Sequence, residues 1–161
     1  MYQDMEQVTV YATSASKKEL EKRLEDLIAK RGEVATMIKE AREFGDLKEN
    51  AEYAAAREAQ NNLETDINEI QAMLPNIKLF SYAKASTDVV GVGSKVTVEF
   101  NKNKMDFVIT GILDSCIEKG YVSNVSPIGS ALLGSKKGDE VEVKVPAGKT
   151  IYKIIKIATG E

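Results

Sequence analysis

Asp46 and Glu49 stand three residues apart in the run Gly45-Asp46-Leu47-Lys48-Glu49-Asn50, with a charged, helix-favouring segment on either side. That spacing supports two readings. In the first, Asp-x-x-Glu is a capping box, with Asp46 as the N-cap of a helix and Glu49 at its third position, while Gly45 is the C′ residue closing the preceding helix. In the second, the pair is a ligand set. Carboxylate oxygens are what a hard cation such as Mg²⁺ selects, and two of them leave positions open for water and a substrate phosphate. Two carboxylates hold Mg²⁺ weakly by themselves, so the pair would complete a site that another protein half-supplies. Capping and ligation are compatible, because a cap would also place both carboxylates on one turn.

Other chemistries are excluded by residue type. The chain contains no histidine, which removes Ser-His-Asp and Cys-His catalysis, imidazole-ligated metals and a histidine pH switch. Its one cysteine, Cys116, forms no intrachain disulfide framework, and its neighbours Ile112, Leu113 and Ile117 predict a small buried hydrophobe. The net charge of −3 over 161 residues provides no global positive field, so any nucleic-acid work is local or reached through a partner. The opening MYQDMEQVTV lacks a basic segment followed by an apolar run, and no stretch is long and apolar enough to span a bilayer. A cytoplasmic protein without a membrane partner is expected.

The elements that must position the pair fall into two halves. Residues 14–78 contain only Gly32, Gly45 and Pro75 as breakers, whereas residues 91–161 carry nine glycines, two prolines and many β-branched residues. The shift near residues 80–93 predicts domains at 1–80 and 81–161. In the first half, Leu20, Leu24, Leu27, Arg31, Val34, Ile38 and Ala41 recur at alternating steps of four and three, as do Tyr53, Ala56, Gln60, Leu63, Ile67, Ile70, Leu74 and Ile77. Both are coiled-coil seams. The seams mirror each other about residue 47, which predicts an antiparallel helical hairpin that folds back inside the acidic run. Arms of about 30 residues make it roughly 45 Å long. The charged flanks predict a rod standing in solvent, and Ala41, Ala51, Ala54, Ala55 and Ala56 a slim tip.

The second half alternates. Strands are expected over 94–100, 106–113, 120–126, 139–145 and 149–157, and a short helix in SPIGSALLG, capped by Ser126, started by Pro127 and closed by Gly134. The fold class is therefore α+β: an N-terminal antiparallel coiled-coil hairpin, then a small antiparallel sheet with one short helix.

The stretch AREFGDLKENAEYAAAREAQ closely resembles the coiled-coil tip of the bacterial GreA/GreB transcript-cleavage factors. Their pattern Gly-Asp-Leu-(Ser/Lys)-Glu-Asn-Ala-(Glu/Asp)-Tyr is matched without a gap from Gly45 to Tyr53. NVSPIGSALLGSKKGDEVEVKVPAGKTIYKIIKI resembles the family's C-terminal segment, so the likeness covers roughly residues 8–157. AAREAQ favours the GreA branch, although Ala54 stands where that branch often has histidine and PAGK replaces PGG.

The resemblance implies a transcription elongation factor. Its coiled coil would enter the secondary channel of bacterial RNA polymerase, and its C-terminal domain, similar in fold to FKBP-type prolyl isomerases, would dock outside. It would have no stand-alone activity and no small-molecule substrate. Instead it would stimulate the polymerase's Mg²⁺-dependent cleavage of the 3′ end of a backtracked transcript. Asp46 and Glu49 would share a polymerase-held Mg²⁺, and Glu49 would also position or deprotonate the attacking water. Gly45, Leu47, Lys48 and Asn50 would shape the tip. Arg42 and Arg57 would contact the nascent RNA, and Ser126, Pro127 and Ile128 would dock on polymerase. Three alternatives remain: a channel-binding regulator without cleavage, a prolyl isomerase or chaperone with a coiled-coil arm, and a plain coiled-coil adaptor in which tip substitutions do nothing.

Overall fold

A computed structural model describes residues 9–45 and 50–161. They divide into two compact units. Lys17–Asn76 form the first, and Ile77–Glu161 form the second together with the segment that ends at Ser16.

The first unit is helical. One arm comprises α1 (Ser14–Ala29) and α2 (Arg31–Glu43), and the other is α3 (Ala51–Met73). Lys30 joins α1 to α2 with near-helical dihedrals, and its N–H is shared between Asp26 O at 3.2 Å and Leu27 O at 3.1 Å. The first arm thus carries one irregular turn. Leu20, Ile38 and Ala41 are buried on this arm, as are Ala56, Leu63, Ile67 and Ile70 on α3. Leu24, Leu27, Val34, Tyr53 and Gln60 are half-buried. The seam positions therefore face inward, with Arg31 the exposed exception.

Arg31 bridges the arms. Its Nε and Nη2 donate to the two carboxylate oxygens of Glu64, each at 2.8 Å. This fork holds Glu64 below the usual carboxylate range and Arg31 above its own, mainly through the hydrogen bonds. The midpoint of Arg31 and Glu64 in sequence lies between residues 47 and 48, as does that of Arg42 and Tyr53, whose side chains also meet. The second seam ends sooner than its heptads predict. Pro75 lacks an N–H and stops α3, the chain makes a 3-10 turn over Leu74–Asn76, and Ile77 opens a strand.

The second unit is built on a five-stranded sheet. Its strands are β3 (Ser94–Phe100), β4 (Asn103–Thr110), β5 (Tyr121–Ser123), β6 (Glu140–Val145) and β7 (Gly148–Thr159), in the order β5-β4-β3-β7-β6. The expected all-antiparallel sheet is corrected here: β4 and β5 run parallel. Between them the chain makes 3-10 turns over Ile112–Asp114 and Ile117–Lys119, then reverses at Gly120 (φ 80°), so β5 starts beside β4 in the same direction. These turns also replace the expected end of β4. They leave Ile117 87% exposed and Cys116 only half-buried, against the expectation of a buried thiol.

β5 stops at Ser123 because Ser126 starts α4 (Pro127–Leu132). Leu132 of α4 packs with Val90, Val96, Val98, Ile109, Val122, Val141, Val143, Ile154 and Ile157 as one apolar core. The β3–β4 hairpin closes on Asn101 and Lys102, both with positive φ (50° and 64°), which suits the right-handed twist of the strands.

A second, two-stranded sheet pairs β1 (Val10–Ala12) in parallel with β2 (Ile77–Leu79). A single cut after residue 80 would assign both strands to the hairpin, but they belong to the sheet unit. β1 lies so close to Gly111 that a Cβ there would stand 1.6 Å from Tyr11 O. Beyond β1, Asp114 accepts hydrogen bonds from Thr13 N at 3.3 Å, Thr13 Oγ1 at 3.0 Å and Ser16 Oγ, while Thr13 Oγ1 accepts from Ser16 N at 3.2 Å and so caps α1. Nearby rings pack edge to face, Phe80 on Tyr82 at 5.1 Å and Tyr82 on Tyr121 at 5.9 Å.

Candidate functional site at the hairpin turn

The acidic run sits between α2 and α3. Asp46, Leu47, Lys48 and Glu49 lie outside the described residues, so the site is built from the groups that flank them.

On the first side, α2 ends in a C-cap at Phe44 and a C′ glycine at Gly45 with φ 127°, a region L side chains rarely adopt. Phe44 N donates to Ala41 O at 3.4 Å, and the Phe44 ring is 77% exposed. On the second side, Asn50 is the N-cap of α3. Its Oδ1 accepts from Glu52 N at 3.0 Å and Tyr53 N at 3.2 Å. α3 begins at Ala51 with Asn50, one of the strongest N-cap residues, standing directly before the alanine-rich segment, and the expected capping box of Asp46 and Glu49 lies outside the described residues.

Asn50 also reaches the other arm, where its Nδ2 donates to Ala41 O at 2.7 Å. The Arg42 guanidinium lies over the Tyr53 ring, 5.8 Å from its centroid, a cation–π geometry. That occupies a face of Tyr53. Arg57 Nη1 donates to Gln60 Oε1 at 2.8 Å along the same helix face. Of the five alanines expected to slim the tip, Ala41 and Ala56 are buried between the arms, whereas Ala51, Ala54 and Ala55 are exposed. Among the described residues no three acidic or thiol groups gather as a metal site.

The second predicted cluster lies in the sheet unit. Ser126 Oγ accepts from Gly129 N at 3.0 Å and donates to Ser123 O at 2.6 Å, so both functions of the hydroxyl are used in starting α4. Ile128 packs against the core, and Pro127 is exposed. Gly129 was not singled out by sequence, yet a Cβ there would meet Ser123 O at 1.9 Å. The aromatic rings after residue 93 pack on each other: Phe100 and Phe107 lie 5.6 and 6.3 Å from Tyr152, and Tyr121 contacts Tyr82.

Residues 10–79 match the family model described as "Transcription elongation factor, N-terminal", and residues 85–159 match "Transcription elongation factor, GreA/GreB, C-term". The chain belongs to the GreA/GreB family of transcription elongation factors. It is 40% identical over 144 residues to transcription elongation factor GreA of Lachnoclostridium phytofermentans, covering 87% of this chain and 89% of that one. To GreA of Clostridium acetobutylicum it is 44% identical over 144 residues, covering 87% and 90%. Among solved structures it is similar to GreA factor homolog 1 (Gfh1) of Thermus thermophilus, with 23% identity, a TM-score of 0.43, and coverage of 94% of this chain and 99% of that one. For this GreA/GreB-family chain, no helix among the described residues is long and apolar enough to cross a membrane.

Proposed function

We propose that this elongation factor enters the secondary channel of bacterial RNA polymerase with its helical hairpin and stimulates the polymerase to cleave the 3′ end of a backtracked or arrested transcript. The observation that carries the reading is the placement of the unbroken Gly45–Tyr53 match at the turn of an antiparallel hairpin, with α3 capped by Asn50.

The donor set suits Mg²⁺, since it offers two hard oxygen ligands and the chain has no imidazole. Two ligands are too few for tight binding, so the metal belongs to the polymerase active centre and this chain completes its shell. Bound there, Mg²⁺ would make water a better nucleophile and offset charge on the reacting phosphate. Asp46 supplies a ligand oxygen. Glu49 shares that role and holds the attacking water by accepting its proton or its hydrogen bond. Arg42 and Arg57, one on each arm, pair with transcript phosphates. The sheet unit docks outside the channel through a surface that includes exposed Pro127. This chain performs no hydrolysis without polymerase.

The test is a cleavage assay on stalled elongation complexes. Addition of the protein shortens the transcript from its 3′ end and restores elongation. Occupancy of polymerase without cleavage would favour a channel-binding regulator instead, and turnover of a proline-containing peptide would favour an isomerase.

A further inference from the structure

We infer that Asn50 is a positioning residue for that activity: its side chain bonds both arms at once and so fixes the two chain ends between which the segment carrying Asp46 and Glu49 is strung. The inference rests on the cleavage-stimulating reading. Its geometric basis stands apart from it. Oδ1 takes two free amides at the start of α3, Glu52 N at 3.0 Å and Tyr53 N at 3.2 Å. Nδ2 donates at 2.7 Å to Ala41 O, nine residues back on α2. The last carbonyls of a helix lack intrahelical partners. Among the described residues, Ala41 O otherwise accepts only the long 3.4 Å bond from Phe44 N.

Few side chains could do both jobs. A primary amide carries an acceptor and two donors on one planar head. Aspartate offers the acceptor and no donor, and serine is one atom shorter. Both cap helices well. Capping alone therefore does not require asparagine here, whereas bridging does. Ala41 is buried against the facing arm, so the bridge ties Asn50 to a backbone point that is itself held by packing. Arg42 over Tyr53 adds a second tie one residue further along. A ligand set that completes another protein's metal shell gains from fixed ends, because misplacement by about 1 Å can cost up to ~10²-fold in rate.

The experiment separates the bridge from the cap with Asn50→Asp and Asn50→Ser in the full chain. Both keep an N-cap acceptor, and only the first adds charge. Cleavage by stalled complexes is measured against factor concentration. Each variant is expected to keep the parent's half-saturating concentration and to lose about tenfold or more of the maximal cleavage rate. In the isolated parent, the Asn50 side-chain amide protons should exchange more slowly than those of exposed Asn61 or Asn62. Variants that cleave at the parent's maximal rate, variants in which only half-saturation shifts, or Asn50 amide protons exchanging like those of Asn61 would overturn the proposal. If the parent itself stimulates no cleavage, the functional reading fails instead, and the exchange measurement still decides the bridge.

Discussion

Asn50 and the carboxylates before it should give opposite signatures when removed. Asn50→Ala deletes an N-cap that serves two amides, and should cost on the order of 1 kcal/mol of hairpin stability, read as a lower melting point. Asp46→Ala with Glu49→Ala leaves that cap in place, so melting should stay within about 0.5 kcal/mol of the parent. The Arg31–Glu64 fork makes a pH-dependent contribution. The folded-state value of Glu64 is lowered, chiefly by its hydrogen bonds from Arg31, so the contribution is present above the ordinary carboxylate range and is lost as pH falls through the lowered value. Both side chains are exposed, and the effect is therefore small and screened by salt. Glu64→Gln should remove that part of the acid sensitivity of the hairpin, and 1 M salt should hide the difference in thermal melts.

Two close backbone approaches govern the elements of the sheet unit. Gly111→Ala would drive a Cβ into Tyr11 O of β1, and Gly129→Ala would drive one into Ser123 O beneath α4. Each should cost about 1–3 kcal/mol by overpacking. Hydrogen exchange should locate the damage, at the β1–β2 pair for the first and at the start of α4 for the second. Neither glycine could be ranked from the sequence, because what condemns a side chain there is a backbone distant in the chain. The hairpin was legible because its signal is periodic and local: inward positions at steps of three and four survive any detail of the turn. Pro75 marked where the second seam had to stop, yet the heptad ran past it to Ile77. The parallel pairing of β4 and β5 was hidden by two single-turn 3-10 segments that periodicity does not register. At the turn, the family pattern located the candidate carboxylates, but the start of α3 was not legible, because Asp46 and Asn50 are residue types of equal capping ability. The hydrogen bonds from Glu52 N and Tyr53 N identify Asn50 as the cap of α3.

At the scale of the whole molecule, the segment around β1 changes how the sheet unit should be isolated. A fragment starting at residue 83 lacks β1, β2, Phe80 and Tyr82, all of which pack within that unit. Residues 9–16 joined to 77–161 by a flexible linker of about ten residues should melt cooperatively and well above the 83–161 fragment. The joined form should also compete with the full chain for polymerase without stimulating cleavage. The central claim is that Asp46 and Glu49 complete a polymerase-held Mg²⁺ site from the end of the hairpin. Its most direct measurement is the cleavage rate of stalled elongation complexes, across a Mg²⁺ titration, with the parent chain and with the Asp46→Ala, Glu49→Ala double variant at saturating concentration. The account predicts that the variant occupies polymerase like the parent, cleaves far more slowly at low Mg²⁺, and partly recovers as added metal compensates by mass action for the lost ligands. Equal cleavage by parent and variant across the titration, or RNA hydrolysis by this chain without polymerase, would contradict it.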